Sequence, residues 1–162
     1  MYWFENMEEK HRIPVIDLYN YYVDHGYSVF HEHNVGYDFF DQFVGKSDEL
    51  PKIIVKSFWG RVVGFAFLKP FQTPQSQGKT AEISSFISPD FTGKGIGTEI
   101  LNYMFDKARN LGLKSIVASA SSLNHGSINQ LRKYGFRENG SMNRVGIKKG
   151  KVFDVVLMRK DT

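Results

Sequence analysis

Apolar residues recur along this chain at two different spacings, one typical of helices and one typical of strands. Ile16, Tyr19 and Val23 share one face, which predicts a helix between Pro14 and Gly26. The helical spacing returns further along, where each run ends at a glycine or at a change of pattern. It predicts helices over 37–44, 96–111 and 127–134.

Between these helices lie short runs rich in β-branched and aromatic residues, which predict strands. Trp59-Gly60 separates two such runs and marks a tight hairpin turn, and Gly150 marks a second hairpin near the C-terminus. The predicted strands cover 52–56, 61–69, 80–88, 114–120, 144–149 and 152–159. This order predicts an α/β or α+β fold with a mixed sheet flanked by helices, built as one domain over residues 1–162.

Three alternating glycines, Gly93, Gly95 and Gly97, stand where the helix over 96–111 begins. Without Cβ atoms the backbone can approach a ligand closely, and the helix adds the positive end of its dipole, so the loop favours phosphate. The spacing fits neither the P-loop nor the dinucleotide-binding fingerprint. A flexible surface turn is the structural alternative.

Composition narrows the chemistry further. The chain has no cysteine, which excludes disulfides, thiolate metal sites and an acyl-cysteine intermediate. Its net charge of +4 is compatible with an anionic ligand but gives no indication of nucleic-acid binding. No apolar run is long enough to span a bilayer and the N-terminus lacks a secretory pattern, so we expect a cytoplasmic protein with no membrane or nucleic-acid partner.

The segment from Thr92 to Gly97 resembles the pyrophosphate-binding loop of the GNAT N-acetyltransferases, which reads Arg/Gln-x-x-Gly-x-Gly/Ala. Thr92 departs from this pattern at its first position. Further segments are similar to the phosphinothricin acetyltransferase subgroup, in the same order along the chain: 16–30, 80–90, 124–136 and 145–158. The resemblance implies a GNAT fold, direct acetyl transfer from acetyl-CoA to a small amine without a metal, and a homodimer.

The same resemblance implies roles for individual residues. Glu82 is the implied general base, with a solvated surface carboxylate as the alternative. Asn124 is implied to contact pantetheine and also suits the N-cap of the next helix. Main-chain groups of Phe86, Ile87 and Ser88 are implied to contact the cofactor, and an N–H of the Phe86-Ile87 region is implied to stabilise the oxyanion. The remaining implied contacts are the pyrophosphate loop Gly93, Lys94, Gly95, Ile96, Gly97 and Thr98, and Ser127 beside pantetheine.

Some positions depart from the subgroup. Leu131 stands where relatives carry tyrosine or histidine and Tyr134 falls three residues later, so the group that protonates the CoA thiolate is unassigned. The arginines and tyrosine that usually precede the catalytic strand are absent from 71–80, where Lys79 is a candidate for part of the lost charge, and Val152 replaces a tryptophan. Phosphinothricin and methionine sulfoximine are therefore candidate acceptors by similarity only.

Two other functions are left open by the sequence: a non-catalytic CoA-binding module and a nucleotide-binding domain. A metal site built from His31, His33 and Asp38 is disfavoured, because it lacks the usual number of ligands.

Overall fold

A computed structural model describes residues 2–45, 49–71 and 79–162. These residues form a seven-stranded sheet with the order β1-β2-β3-β4-β5-β7-β6, in which only β4 and β5 run parallel. The strands are β1 Tyr2–Asn6, β2 Lys52–Ser57, β3 Val62–Pro70, β4 Thr80–Ile87, β5 Ser115–Ser121, β6 Arg137–Lys148 and β7 Lys151–Asp161. The expected mixed, mostly antiparallel sheet is confirmed.

The helices cover both faces of this sheet. They are α1 Arg12–Asp24, α2 Phe40–Val44, which follows a 3-10 turn at Tyr37–Phe39, α3 Ile96–Asn110 and α4 His125–Tyr134. The first two share a core with Phe65 and Phe67 of β3, whereas α3 and α4 share another with Ile116 of β5. Within the described ranges, no helix has the length and apolar content needed to cross a membrane.

The alternation of β4 distributes its side chains between the two cores. Phe86 packs with the α1 side and Ile83 with the α3 side. Glu82 and Ser84 share the face of Phe86, because they are separated from it by even numbers of residues. This strand therefore presents Glu82 and Ser84 on the side of α1 and α2.

β4 and β5 separate soon after they meet. Their parallel register is limited to Thr80 with Ser115, Ala81 with Ile116 and Glu82 with Val117. Beyond Glu82, β4 stays paired with β3 as far as Ile87, while β5 stays paired with β7. The sheet therefore opens in its middle, at the carboxyl ends of two parallel strands.

Two strand segments were not predicted from the sequence. β1 is a short edge strand that pairs only with β2 in the described sheet. The first half of β6, from Arg137 to Asn143, is polar and exposed, so no apolar alternation marks it. Its pairing with β7, which is interrupted by two register shifts, holds it in the sheet.

Candidate functional site

The opening between β4 and β5 forms a cavity of about 410 Å³, which we call the central cleft. Its walls come from the diverging strands, from α1, and from the first turns of α3 and α4. The lining includes Tyr22, Ser28, Ile83, Ser84, Phe86, Ile87, Ser119, Asn124, Ser127, Gln130 and Leu131. Two further cavities share residues with it, one at each end.

The first neighbour, the side cavity, has a volume of about 450 Å³ and contains Glu82. The Glu82 side chain is 20% exposed and lies 3.9 Å from the ammonium of Lys69, its cross-strand partner. The rest of the wall is mainly aromatic and includes Tyr19, Phe30, His31, Phe39, Phe43, Phe67 and Phe86. The side cavity shares Ser28, Ser84, Phe86 and Ser119 with the central cleft, so Glu82 lies in a cavity that adjoins the cleft.

The second neighbour, the loop cavity of about 410 Å³, lies at the N-terminus of α3. Gly93 and Gly95 have φ angles of +74° and +85°, which only glycine adopts without strain. Of the predicted phosphate-loop residues, it is lined by Gly93, Gly95, Ile96, Gly97 and Thr98. The exposed Lys94 lines none of the three cavities.

Gly97 is required for a different reason from the other two glycines. It lies inside α3, and a Cβ at this position would stand 2.0 Å from Nε2 of Gln130. The third glycine therefore makes room for a side chain of α4, and a positive φ angle is not its function.

The main-chain groups of β4 narrow the expected oxyanion donor. The N–H of Ser88 donates to the carbonyl of Val63 at 2.8 Å, and Ser88 is only 6% exposed and lines none of the three cavities. Successive residues of an antiparallel strand direct their main-chain groups to opposite sides, so Phe86 also faces β3 whereas Ile87 faces the central cleft. Ile87 thus remains the donor candidate, while the expected main-chain contacts of Phe86 and Ser88 do not fit this geometry.

The first turn of α4 combines a cap with a cleft wall. The Asn124 side-chain oxygen accepts the N–H of Ser127 at 3.2 Å, which confirms the predicted N-cap. Both residues also line the central cleft, as does Leu131. Tyr134 instead donates its hydroxyl to Asn102 at 2.6 Å and lines none of the three cavities, which argues against it as the proton donor.

Tyr22 was not identified from the sequence. Its hydroxyl donates to the carbonyl of Ile87, and it is the one ionisable side chain among the described residues that line the central cleft. Burial raises its pKa above the usual value of 10.0, so the hydroxyl keeps its proton at neutral pH. Helical periodicity could have placed Tyr22 on α1, but nothing in the sequence indicated that it meets β4.

The segment between α1 and α2 is fixed over the site by Lys148 of β6. This side chain is fully buried, and its ammonium donates to the carbonyls of Val29 at 2.8 Å and Tyr22 at 3.5 Å. Burial lowers the Lys148 pKa, and the nearby charge of Lys149 lowers it further. Lys148 therefore holds in place the chain that supplies Ser28 and Phe30 to the cavities.

His31 belongs to the side cavity and not to a metal cluster. A hydrogen bond of 2.8 Å joins its Nδ1 atom to the hydroxyl of Tyr19, whose pKa is raised to about 12 by burial. In the described part of the chain, no group of three or more His, Asp or Glu side chains is arranged to hold a metal.

A family model for the acetyltransferase (GNAT) family matches residues 15–136, which include the cleft, the glycine loop and Glu82. The chain belongs to the GNAT family. It is 32% identical over 109 residues to an L-methionine sulfoximine/L-methionine sulfone acetyltransferase of Pseudomonas aeruginosa. This alignment covers 67% of this chain and 63% of that protein. The L-amino acid N-acyltransferase MnaT of Escherichia coli is 31% identical over 107 residues, 66% of this chain and 62% of the other.

Solved GNAT structures match over almost the full length. A ribosomal-protein-alanine N-acetyltransferase from Brucella melitensis superposes with a TM-score of 0.90 at 25% identity, covering 99% of each chain. The Salmonella typhimurium protein yncA, solved with its cofactor acetyl-CoA, gives a TM-score of 0.85 at 25% identity, covering 99% of this chain and 93% of the other. The fold is therefore that of the GNAT family, whereas the sequence alignments span less than two thirds of these two curated relatives.

Proposed function

We propose that this chain is an acetyl-CoA-dependent N-acetyltransferase that transfers the acetyl group directly to the amine of a small, amino-acid-like acceptor. The observation that carries the proposal is that three cavities adjoin one another: Glu82 lines one end cavity, the glycine loop lines the other, and the central cleft at the opened sheet shares wall residues with both. This arrangement suits a long donor with phosphates at one end and a reactive group at the other. Acetyl-CoA has this form.

The donor end is assigned to the loop cavity and the central cleft. Gly93 and Gly95 leave the loop amides free of side-chain obstruction, and α3 directs the positive end of its dipole to the same place. The pantetheine arm then follows the opening between β4 and β5. The N–H of Ile87 faces this opening and is the proposed hydrogen-bond donor to the thioester oxygen, on which negative charge develops during attack.

The chemistry is assigned to the junction of the central cleft and the side cavity. Glu82 accepts a proton from the acceptor ammonium, directly or through water, and the neutral amine attacks the acetyl carbon. The C–N bond forms, the C–S bond breaks and the thiolate departs with its electron pair. The nitrogen releases its second proton to solvent, which leaves the neutral amide. Tyr22 is the proposed proton donor to that thiolate, because it is the ionisable group that lines the cleft and Leu131 offers no proton.

The side cavity indicates an acceptor with an uncharged side chain. Its wall is largely aromatic, and its single lysine, Lys69, already faces Glu82. Residues 72–78 lie outside the described ranges, but their sequence contains no charged residue. Phosphinothricin carries two acidic groups, but this cavity offers one lysine. The single cation of Lys69 matches the one carboxylate of an α-amino acid with an uncharged side chain better than it matches phosphinothricin. The methionine sulfoximine and methionine sulfone named for the Pseudomonas relative are acceptors of this kind.

A thiol-release assay tests the function and the acceptor class together. With acetyl-CoA fixed, we expect CoA release with L-methionine sulfone and L-phenylalanine to exceed release with phosphinothricin. Lys69→Met is expected to raise the KM of amino acids but not that of their uncharged amides. Acceptor-dependent release with none of these amines contradicts the proposal, and a preference for phosphinothricin contradicts the acceptor class.

A non-catalytic CoA-binding module is the second candidate, because Leu131 replaces the family's usual proton donor. Binding of acetyl-CoA without turnover for any amine would favour it. Preferential binding of ATP over acetyl-CoA would instead favour a nucleotide-binding domain.

A homodimer and a cytoplasmic location complete the proposal. The β6–β7 hairpin forms one edge of the sheet and exposes Met142, Val145, Ile147 and Val152, which supports a self-association surface. Light scattering of the wild type and of Ile147→Asp tests it: we expect a dimer that the substitution dissociates, whereas a monomeric wild type contradicts it. The intracellular occurrence of acetyl-CoA supports the location.

A further inference from the structure

We propose that Gln130 is a cofactor-binding residue that hydrogen-bonds the diphosphate of acetyl-CoA and replaces the long polar side chain that this chain lacks at Thr92. This inference rests on the proposed function. It concerns one side chain of α4 that no sequence pattern singles out.

The Thr92 side chain is engaged within its own turn. Its hydroxyl donates to the carbonyl of Pro89 at 3.0 Å, within the short turn that precedes the glycine loop. The hydroxyl proton therefore stabilises the chain's own turn, and the side chain is too short to extend over the loop. The first position of the loop pattern supplies no free long-chain donor here.

The Gln130 amide lies against the start of α3. The 2.0 Å separation between its Nε2 atom and an ideal Cβ on Gly97 places the amide directly against the first turn of α3. Gln130 lines both the central cleft and the loop cavity, so it lies where the pantetheine arm meets the phosphates in the proposed binding mode.

Gln130 lies on the side of α4 that faces the loop cavity. The residues of α4 that line the loop cavity are Gly126, Asn129, Gln130 and Lys133, which are spaced as one helix face. No hydrogen bond to the Gln130 side chain is present within the described ranges, so its amide N–H groups are available to a ligand. An amide donor facing an anionic phosphate forms a charge-assisted hydrogen bond, the stronger kind.

The test compares the binding of two acetyl donors, acetyl-CoA and S-acetylpantetheine, to two variants of Gln130. Calorimetric titration of Gln130→Ala with acetyl-CoA is expected to show a Kd raised about tenfold. This is the low end of the affinity that a hydrogen bond to a charged group contributes, because the site is exposed. Gln130→Glu keeps the size but places a carboxylate against the phosphates, so its Kd should rise further and its deficit should shrink as salt is added. Inhibition by S-acetylpantetheine, which lacks the diphosphate, should change less than about twofold in either variant.

Two further variants make the result specific. Thr92→Gln in the Gln130→Ala background restores a long amide from the other side of the loop and should recover most of the lost affinity. Arg132→Ala changes an exposed α4 side chain that lines none of the three cavities, and it should bind acetyl-CoA as the wild type does.

The outcomes separate this inference from the proposed function. A wild type that does not bind acetyl-CoA overturns the function. A wild type that binds, together with unchanged affinity in both Gln130 variants or an equal loss for S-acetylpantetheine, overturns the diphosphate contact alone.

Discussion

Replacing Glu82 with glutamine keeps the size of the side chain and removes its capacity to accept a proton. If Glu82 is the general base, kcat should fall by about 10²–10⁴-fold, the range in which such groups contribute. That loss corresponds to about 3–5 kcal/mol of transition-state stabilisation. The Kd of acetyl-CoA should stay within about twofold of the wild type, because Glu82 lines the side cavity and not the cleft assigned to the donor.

The structure also predicts how little this change should affect stability. The pair of Glu82 with Lys69 spans 3.9 Å and its side chains are 20% and 55% exposed, so its loss should cost about 0–1 kcal/mol. The corresponding fall in melting temperature is at most about 4 °C for a chain of this size. Inactivation with an intact melting transition therefore reports chemistry and not unfolding.

The assay measures thiol release at saturating acetyl-CoA, with calorimetry for donor affinity and calorimetric melting for stability. Glu138→Gln is the matched control, because Glu138 forms a comparable exposed pair with Arg132, at 3.7 Å, outside the three cavities. A Glu82→Gln variant whose kcat stays within about threefold of the wild type refutes the base assignment, since a general base contributes far more.

Three further substitutions test other parts of the account. If the Tyr22 hydroxyl protonates the thiolate, Tyr22→Phe should lower kcat by about 100-fold while the Kd of acetyl-CoA changes less than threefold. Thiol release measures kcat and calorimetry measures Kd. An unchanged kcat removes Tyr22 from the mechanism. Gly146→Ala places a Cβ 2.2 Å from the buried ring of Phe153, so urea unfolding should show a loss of about 1–3 kcal/mol. Gly126→Ala, with no heavy atom within 4 Å of the new Cβ, should show none; equal effects contradict the packing argument. Burial lowers the Lys148 pKa below 10.5, so the unfolded state binds more protons than the folded state at pH values between the folded pKa and 10.5. Wild-type stability should therefore rise with pH relative to Lys148→Met across that window. Parallel pH profiles of the urea midpoint for the two proteins would contradict this.

Most elements of the fold follow from local sequence patterns. α3 and α4 carry apolar faces with clear stop signals, and β2 and β3 flank a glycine turn, so each was predicted within two residues of its observed ends. β1 and the first half of β6 were not predicted. The latter is exposed along its length and is held by its pairing with β7, which no local pattern encodes.

The site was predictable where it depends on local sequence and not where it depends on packing. The positive φ angles of Gly93 and Gly95 follow from their place before a helix. The reason for Gly97 could not be predicted, because it lies in a contact with Gln130, more than thirty residues away in the sequence. The same holds for Tyr22, whose hydroxyl meets Ile87 only in the folded chain.

In the proposed reaction, the acetyl group passes directly from acetyl-CoA to an amine. The most direct measurement incubates the protein with acetyl-CoA labelled in its acetyl group and L-methionine sulfone, then locates the label by mass spectrometry. The account predicts label in the N-acetylated acceptor, equimolar CoA, and no label on the protein, which has no cysteine to carry it. An unlabelled acceptor, or label held covalently by the protein before transfer, would contradict it.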